Sequence, residues 1–577
     1  MKMRSAEADT AARSYRWRSA VVLALVLSCA VGLTVRAVEL QWLDHGFLAK
    51  QGDDRTMRVA KIVAHRGAIT DRNGEPLALS TPVDTVWVNP QELDDSIDEV
   101  PKLAKALKQD PQTLVRRVTS NLDREFLYLV RGMPPEQAAH VKSLGIPGVY
   151  LQREYRRYYP AGEVSGHIVG FTTVDDQGQE GLELGYDQLL DGENGAKRVI
   201  QDLYGRSVQN VESIREPRPG RDLVTSIDLR IQYLAYRELK AAMKEYRARA
   251  GSVVVIDVDT GEVLAMVNQP SYNPNDRDQL KAGLYRNRAA TDIFEPGSSI
   301  KPFIIAAGLE SGQYRPDSVV DTSPGFLKVG SKVFEDEKPL GTIDIATILA
   351  KSSNVGTAKI ALSLKPEQIW NTLTALGFGQ VTGSGYPGES AGMLSQYSHW
   401  RPIGIATLSH GYGLSVTPLQ LAHAYATIGA GGVSRPISFE RVAGGVAGQQ
   451  VIPRGVAQSL VQLMESVVVA EGATGKRAAV VGYRVAGKTG TAWKSFAGGY
   501  STDRYMAVFA GVVPATRPKL ATVVVIDEPS AGQYYGGLVA APVFSSVMTG
   551  ALRLMDVPPD DLQNVPATTL VQANDTQ

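Results

Sequence analysis

The first clear pattern along the chain is an uncharged run from Ser19 to Val35, SAVVLALVLSCAVGLTV, preceded by Lys2, Arg4, Arg13, Arg16 and Arg18 and closed by Arg36. Seventeen such residues are at the lower limit for crossing a bilayer. AVELQWL extends the apolar face, and Arg36 can reach outward along its own stem. The pattern predicts a transmembrane anchor over residues 19–39. Because basic residues gather on the cytoplasmic side, residues 1–18 are expected in the cytoplasm and the remainder outside it. A cleaved signal peptide is the competing reading. Apolar residues continue past Cys29, however, and this favours a retained span.

After the anchor the period of the pattern changes repeatedly. AHRGAITDRNGEPLALS (Ala64–Ser80) reads as two short β runs around a DRNGE turn, with Asn73-Gly74 suited to positive φ. VPKLAKALKQDPQTLVRRVTSNL and PPEQAAHVKSLG carry helical spacing. REYRRYYPAGE and DDQGQEGLELGYDQLLDGENG are dense in charges and turn formers, as in a loop-bearing module. REPRPGRD (Arg215–Asp222) is the sharpest break, and it divides residues 40–220 from residues 221–556.

Beyond the break, TSIDLRIQYLAYRELKAAMKEY predicts a long amphipathic helix with Ile227, Ile231, Leu234 and Ala242 near one face, which Glu238 interrupts. GSVVVIDVDTGEVLAMVNQP predicts a hairpin through Asp259-Thr260-Gly261. RYMAVFAGVVPA and KLATVVVIDEP predict a second antiparallel pair near the C-terminus. Strands at both ends with helices between them imply a mixed α/β fold, its antiparallel sheet assembled from distant pieces and flanked by helices. The tail, residues 557–577, is polar and expected to be disordered.

Composition narrows the function classes. A chain of 577 residues implies two or three folded units. Lys+Arg and Asp+Glu both number 60, so no bulk field attracts nucleic acid, and no such partner is expected. The seven histidines lack ligand-like spacing, and the one cysteine, Cys29, lies in the anchor. No metal, no cofactor and no disulfide is therefore expected. A single span excludes a channel or transporter.

The stretch EPGSSIKPF (Glu295–Phe303) offers two adjacent serines and one lysine. Pro296-Gly297 marks a helix start, and residues three apart share a helix face. Lys301 therefore neighbours Ser298 and faces away from Ser299. A serine hydroxyl attacks only when a positioned base takes its proton, so Ser298 is the candidate nucleophile and Lys301 its base. A helix N-terminus also places N–H groups where an oxyanion develops. Alone, Ser-x-x-Lys is common by chance and a serine there is usually a cap.

Two further elements change the weight of that motif. AKSSNVG holds Ser352 and Asn354, two apart and expected to point the same way in an extended loop. RVAGKTGTAW holds Lys488, Thr489, Gly490 and Thr491, where glycine on a strand leaves room for a ligand. Three such elements in this order are the set used by penicillin-recognising serine enzymes.

With this trio the chain resembles the class B penicillin-binding proteins, in particular their septal branch. HRGAITDRNGEPLA, RRYYPAGE, GQEGLE, SIDLRIQ, TGEVLAMVNQPSYNPN, GYGLSVTPLQLAHAYATIGAGG and YYGGLVAAPVF carry the likeness from the anchor to about residue 555. The resemblance implies the penicillin-binding transpeptidase fold over 221–556 and an α+β pedestal or dimerisation-type domain over 40–220. It also implies a place in the cell inner membrane with the catalytic domain in the periplasm. By similarity Ser298 attacks a D-Ala-D-Ala stem peptide of peptidoglycan, and Lys301, its pKa lowered by desolvation and by Lys488, accepts the proton. Ser352 relays a proton, Asn354 positions Lys301 and substrate, and Lys488 passes beneath the strand toward Ser352. Thr489 and Thr491 contact the terminal carboxylate beside Gly490, and backbone N–H groups of Ser298 and Thr491 form the oxyanion hole. Tyr535 and Gly536, in QYYGG, line the cleft. β-Lactam antibiotics acylate the same serine. The implied partners are a membrane-embedded glycan polymerase and other division proteins.

A β-lactamase of related fold uses a glutamate with asparagine four residues on. Glu367 and Asn371 have that spacing, but Pro366 marks Glu367 as a first-turn acid of a helix. A membrane sensor would need several spans, and a bifunctional synthase a glycosyltransferase signature. Neither is present in the sequence. A scaffold without turnover remains the reading from outside enzymology.

Overall fold

A computed structural model describes residues 4–48, 50, 57–201, 207–496 and 499–564. The first element, α1 (Arg4–Val38), continues through a π turn at Glu39–Leu43. Trp17–Leu43 is a continuous helix of 27 residues, interrupted by charge only at Arg18, Arg36 and Glu39, and its most apolar window is not buried. At about 1.5 Å per residue it is long enough to cross a hydrocarbon core. It is a candidate single span and contains the 19–39 stretch read from the sequence.

The described chain forms two compact units, and it passes between them repeatedly. The first unit comprises residues up to 64, Val83–Glu154 and Glu193–Arg218. It holds a three-stranded antiparallel sheet of Met57–Ile62, Gly195–Gln201 and Ser207–Arg215. Helices Val100–Leu107, Pro111–Thr119 and Pro135–Ser143 cover a separate core of Val86, Leu103, Leu114, Leu129 and Val141. Pro111 opens its helix, and Asp110 caps it by accepting from Thr113 N–H at 2.7 Å.

The second unit comprises His65–Pro82, Tyr155–Gly192 and everything from Pro219. The last passage between units falls inside REPRPGRD, but two earlier stretches expected in the pedestal pack with the C-terminal part. Their motifs show why. Arg66 and Arg157 both converge on Glu183, at 2.8 and 2.6 Å, with all three side chains buried. Ile69–Thr70 also pairs, in parallel, with Leu223–Val224. Buried charges of this kind hold together only as a set.

The helix after the break, α2 (Leu229–Glu245), starts later than its apolar pattern. Asp228 caps it, accepting from Arg230 N–H at 3.0 Å. Its buried stripe is Ile231, Ala235, Leu239 and Ala242; Leu234 is only partly buried, and Glu238 does not break the stripe. Strands β1 (Ala250–Asp257) and β2 (Val263–Gln269) form the expected hairpin. Asp257 Oδ1 accepts from the N–H groups of Asp259 and Thr260, and Gly261 closes the turn at φ +78°.

Helices α3 (Lys301–Glu310), α4 (Asn354–Ser363) and α5 (Pro418–Gly429) follow. Strands β3 (Ala486–Phe496), β4 (Gly499–Val513) and β5 (Leu520–Asp527) then complete one antiparallel sheet in the order β2-β1-β5-β4-β3. Helix α6 (Arg454–Val469) precedes β3, and helix α7 (Gly536–Leu554) follows β5. The sheet is covered on both faces, and strand alternation sorts its residues. Val254, Ile256 and Val523 enter the core under α3 and α5, while Val253, Val255 and Val524 enter the core under α2 and α7.

Residues Val557–Asn564 are anchored, in contrast to the expected tail. Tyr483 O–H donates to Val557 O at 2.6 Å, and Asp560 accepts from Arg484 N–H at 2.8 Å. The rest of that tail lies outside the described residues.

Candidate active site

The two adjacent serines have different fates. Gly297–Ile300 forms a 3₁₀ turn that leads into α3. Ser299 is fully buried, and its hydroxyl donates to Pro296 O at 2.7 Å. Its carbonyl accepts from Tyr425 O–H at 2.9 Å. Tyr425 is held by α5, which Thr417 and Gln420 close with reciprocal cap bonds. Ser298 is only partly buried and lines a cavity of about 440 Å³. In a 3₁₀ turn residues three apart eclipse, so Lys301 falls on the same side of the turn as Ser298.

Lys301 is fully buried. Its ammonium donates to Ser352 O at 2.5 Å, to Asn354 Oδ1 at 2.8 Å and to Ser352 Oγ at 3.3 Å. Lys488, also fully buried, donates to the same Ser352 Oγ at 3.0 Å and to Thr489 O at 3.0 Å. Burial pushes Lys301 down to about 7, against a smaller upward pull from Asp336. Burial also holds Lys488 well below its ordinary range, and there the charge of Lys301 adds to the depression. The expected cation effect thus falls on Lys488, and desolvation is what lowers Lys301.

Ser352 and Asn354 share the site, but not through an extended loop. Ser352 sits at φ +56°, in the left-handed region, and Asn354 is the first residue of α4. The residue that holds this corner is Asp336. Its carboxylate accepts from Asn354 N–H at 2.5 Å, Val355 N–H at 3.0 Å and Ser353 O–H at 2.7 Å. No sequence spacing marks Asp336, because it reaches the helix start from another element; an acid there is favoured by the helix dipole.

Along β3 the structure redistributes the expected contacts. Thr491 lines the cavity, and its Oγ1 accepts from Gly536 N–H at 3.0 Å. Thr489 is 6% exposed, and its hydroxyl is turned to Thr474 Oγ1 at 2.8 Å, so it does not line the cavity. At Gly490 an added Cβ would stand 2.8 Å from Pro296 O, so this glycine admits the serine's own turn. At Gly536 it would stand 2.3 Å from Gly490 O and Val508 O. Gly536 therefore docks α7 on the sheet, and the cleft wall belongs to its neighbours Tyr534 and Tyr535.

That wall extends further than the sequence suggested. Tyr505 stacks on Tyr534 at 4.0 Å, and Tyr534 on Tyr535 at 4.6 Å. Tyr412, Trp493 and Phe334 also line the cavity. His410 does too: its Nδ1 lies 2.5 Å from Ala406 O, and burial with the charge of Lys301 pushes the imidazole down to about 3. Glu367 lies in the first turn of Pro366–Ala375, and Asn371 lines a different cavity beside Glu310, so the pair is not at the serine.

Comparison with known proteins agrees with this geometry. Residues 251–549 match the penicillin binding protein transpeptidase domain, and residues 61–225 match the penicillin-binding protein dimerisation domain. The peptidoglycan D,D-transpeptidase FtsI of Escherichia coli K12 is 43% identical over 95% of this chain and 93% of its own. The probable peptidoglycan D,D-transpeptidase PbpC of Pseudomonas aeruginosa is 41% identical over 96% of this chain and 98% of its own. Penicillin-binding protein 3 from Mycobacterium tuberculosis, complexed with aztreonam, superposes with a TM-score of 0.68 at 27% identity over 88% of this chain and 100% of that one. This chain belongs to the penicillin-binding protein transpeptidase family.

Proposed function

We propose that this chain is a peptidoglycan D,D-transpeptidase of septal wall synthesis, working through a serine acyl-enzyme. The observation that carries the mechanism is the single hydroxyl, Ser352 Oγ, within reach of both buried ammonium groups. Lys301, neutral in a useful fraction near pH 7, takes the Ser298 proton as Oγ attacks the penultimate D-Ala carbonyl of a stem peptide. The C–N bond to the last D-Ala breaks, and the proton passes through Ser352 to the departing amine. The amine of a neighbouring stem then attacks the acyl carbon; a new C–N bond forms, the bond to Ser298 Oγ breaks, and the amine's proton returns to Ser298. Water in place of that amine gives the carboxypeptidase reaction.

Asn354 fixes Lys301, and Thr491 meets the terminal carboxylate with Thr489 behind it. β-Lactams enter by the same acylation, as the aztreonam complex of the mycobacterial relative supports. The apolar helix Trp17–Leu43 holds the enzyme in the inner membrane, with its N-terminus cytoplasmic and the catalytic part periplasmic. The pedestal, residues 40–220, serves the glycan polymerase and other division partners. The test is labelling by a fluorescent penicillin. Label must be lost in Ser298→Ala, kept in Ser299→Ala, and persist for many minutes on the wild type. A well-folded wild type that takes no label would overturn the proposal.

A further inference from the structure

Glu295 stands three residues before Ser298, in a segment laced to residues 411–416 by backbone bonds. Phe294 and Val416 exchange bonds at 2.9 Å in both directions, and Gly297 N–H donates to Gly411 O at 3.2 Å. These bonds place the Ser298 turn without help from the Glu295 side chain. That side chain makes a different connection. Its Oε1 accepts from Gly413 N–H at 2.7 Å and from the hydroxyl of Tyr500, at the start of β4, at 3.0 Å. One carboxylate oxygen thus ties the 411–416 loop to β4, and an ionised acceptor makes both bonds stronger than a neutral one would.

The residue caught by this tie is Tyr412. Its ring meets the Tyr500 ring edge to face at 5.3 Å, and its hydroxyl accepts from Trp493 N–H at 3.2 Å. Tyr412 and Trp493 both line the Ser298 cavity. On either side of Tyr412 stand Gly411 at φ +80° and Gly413 at φ +76°. A Cβ added at Gly413 would meet nothing within 4 Å, so glycine there serves the backbone conformation and not packing. Between two such residues the backbone gives Tyr412 little preference for one direction, and the bonds around it must supply that preference.

We propose that Glu295 is a positioning residue for substrate binding: through Gly413 and Tyr500 it fixes Tyr412, and with it the Trp493 part of the cleft lining, for the acyl donor. It acts on how tightly the donor is held and not on proton transfer, since the bonds of Lys301 and Lys488 do not include it. This rests on the transpeptidase reading above and adds a residue outside its three motifs that sets donor affinity.

The experiment uses the full chain in detergent and a benzoyl-D-alanyl thioester as donor. Ser298 Oγ bonds to the acyl carbon, the C–S bond breaks, and the thiol leaves with the serine proton in a measurable burst. Burst rate against donor concentration yields a limiting rate and a half-saturation concentration. Glu295→Ala is expected to raise the half-saturation concentration about tenfold, and Tyr500→Phe, which loses one of the two bonds, about threefold, with the limiting rate within about twofold of wild type. Glu295→Gln keeps an oxygen for both donors and is expected to stay within about twofold in both constants. Tyr500 is 43% exposed, so its variant carries the test if Glu295→Ala does not fold. A larger fall in the limiting rate overturns the proposal, because it places Glu295 at the nucleophile's turn. Unchanged constants, with or without a lower melting temperature, overturn it too, because the side chain then serves stability alone. A wild type that releases no thiol and takes no penicillin label removes the transpeptidase reading itself, and the positioning role with it.

Discussion

Lys301 and Lys488 both donate to Ser352 Oγ, at 3.3 and 3.0 Å, with both lysine side chains fully buried. One hydroxyl therefore couples the proposed base, Lys301, to the lysine on β3. Ser352→Ala removes that shared acceptor while leaving Lys301 its bonds to Ser352 O and Asn354 Oδ1. The second-order rate of penicillin acylation is expected to fall by about 10²-fold or more, with little change in melting temperature.

Acylation is expected to follow the ionisation of Lys301. Its folded value is pushed down to about 7 from an ordinary 10.5. The base must be neutral, so the labelling rate rises with pH through about 7 and levels off above it. Between about 7 and 10.5 the unfolded chain binds the proton that the folded one has released, so folding stability rises with pH across that window. A pH series of labelling rates checks the first statement and urea titrations check the second.

Asp336→Asn separates position from charge. The carboxylate of Asp336 pulls Lys301 upward, so its removal moves the rising limb of the acylation profile to lower pH. It also weakens three bonds at the start of α4, at a cost of about 1–2 kcal/mol. A limb that stays in place would show that Asp336 acts only as a cap.

Glu183→Gln leaves Arg66 and Arg157 without their shared charge in a fully buried site. The expected loss of stability is about 3–5 kcal/mol, visible as an earlier unfolding midpoint of the second unit. Penicillin labelling of the surviving folded fraction is expected at the normal rate, since none of the three lines the Ser298 cavity.

Three-residue spacing to Lys301 pointed to Ser298 rather than Ser299, and it is Ser298 that lines the cavity while Ser299 is buried against Pro296 O. The β1–β2 hairpin was legible from its Asp259-Thr260-Gly261 turn between two apolar runs, and the β4–β5 pair from its own two apolar runs. What escaped was set by partners far along the chain. Asp336 reaches α4 from another element, and the aromatic wall joins Tyr412 and Trp493 to Tyr505 and Tyr534. Gly490 was read as room for a ligand and Gly536 as cleft lining, but neighbouring carbonyls occupy the space beside both. Buried Glu183 ties His65–Pro82 to Tyr155–Gly192 through two arginines, and pairing of Ile69–Thr70 with Leu223–Val224 and the bond from Tyr272 O–H to Gly166 O join both to the second unit, which no composition shift announces.

The register of the central sheet has a consequence for how the protein is made. Val254 on β1 pairs with Val523 on β5, 269 positions later (523 − 254). Until that length has been synthesised, one edge of β1 has no permanent neighbour. Closure of so long a loop is slow, and the unpaired strand is open to association with other chains during the wait. Slow chain elongation, or loss of factors that hold unfinished chains, is therefore expected to reduce the yield of this enzyme before it alters its chemistry.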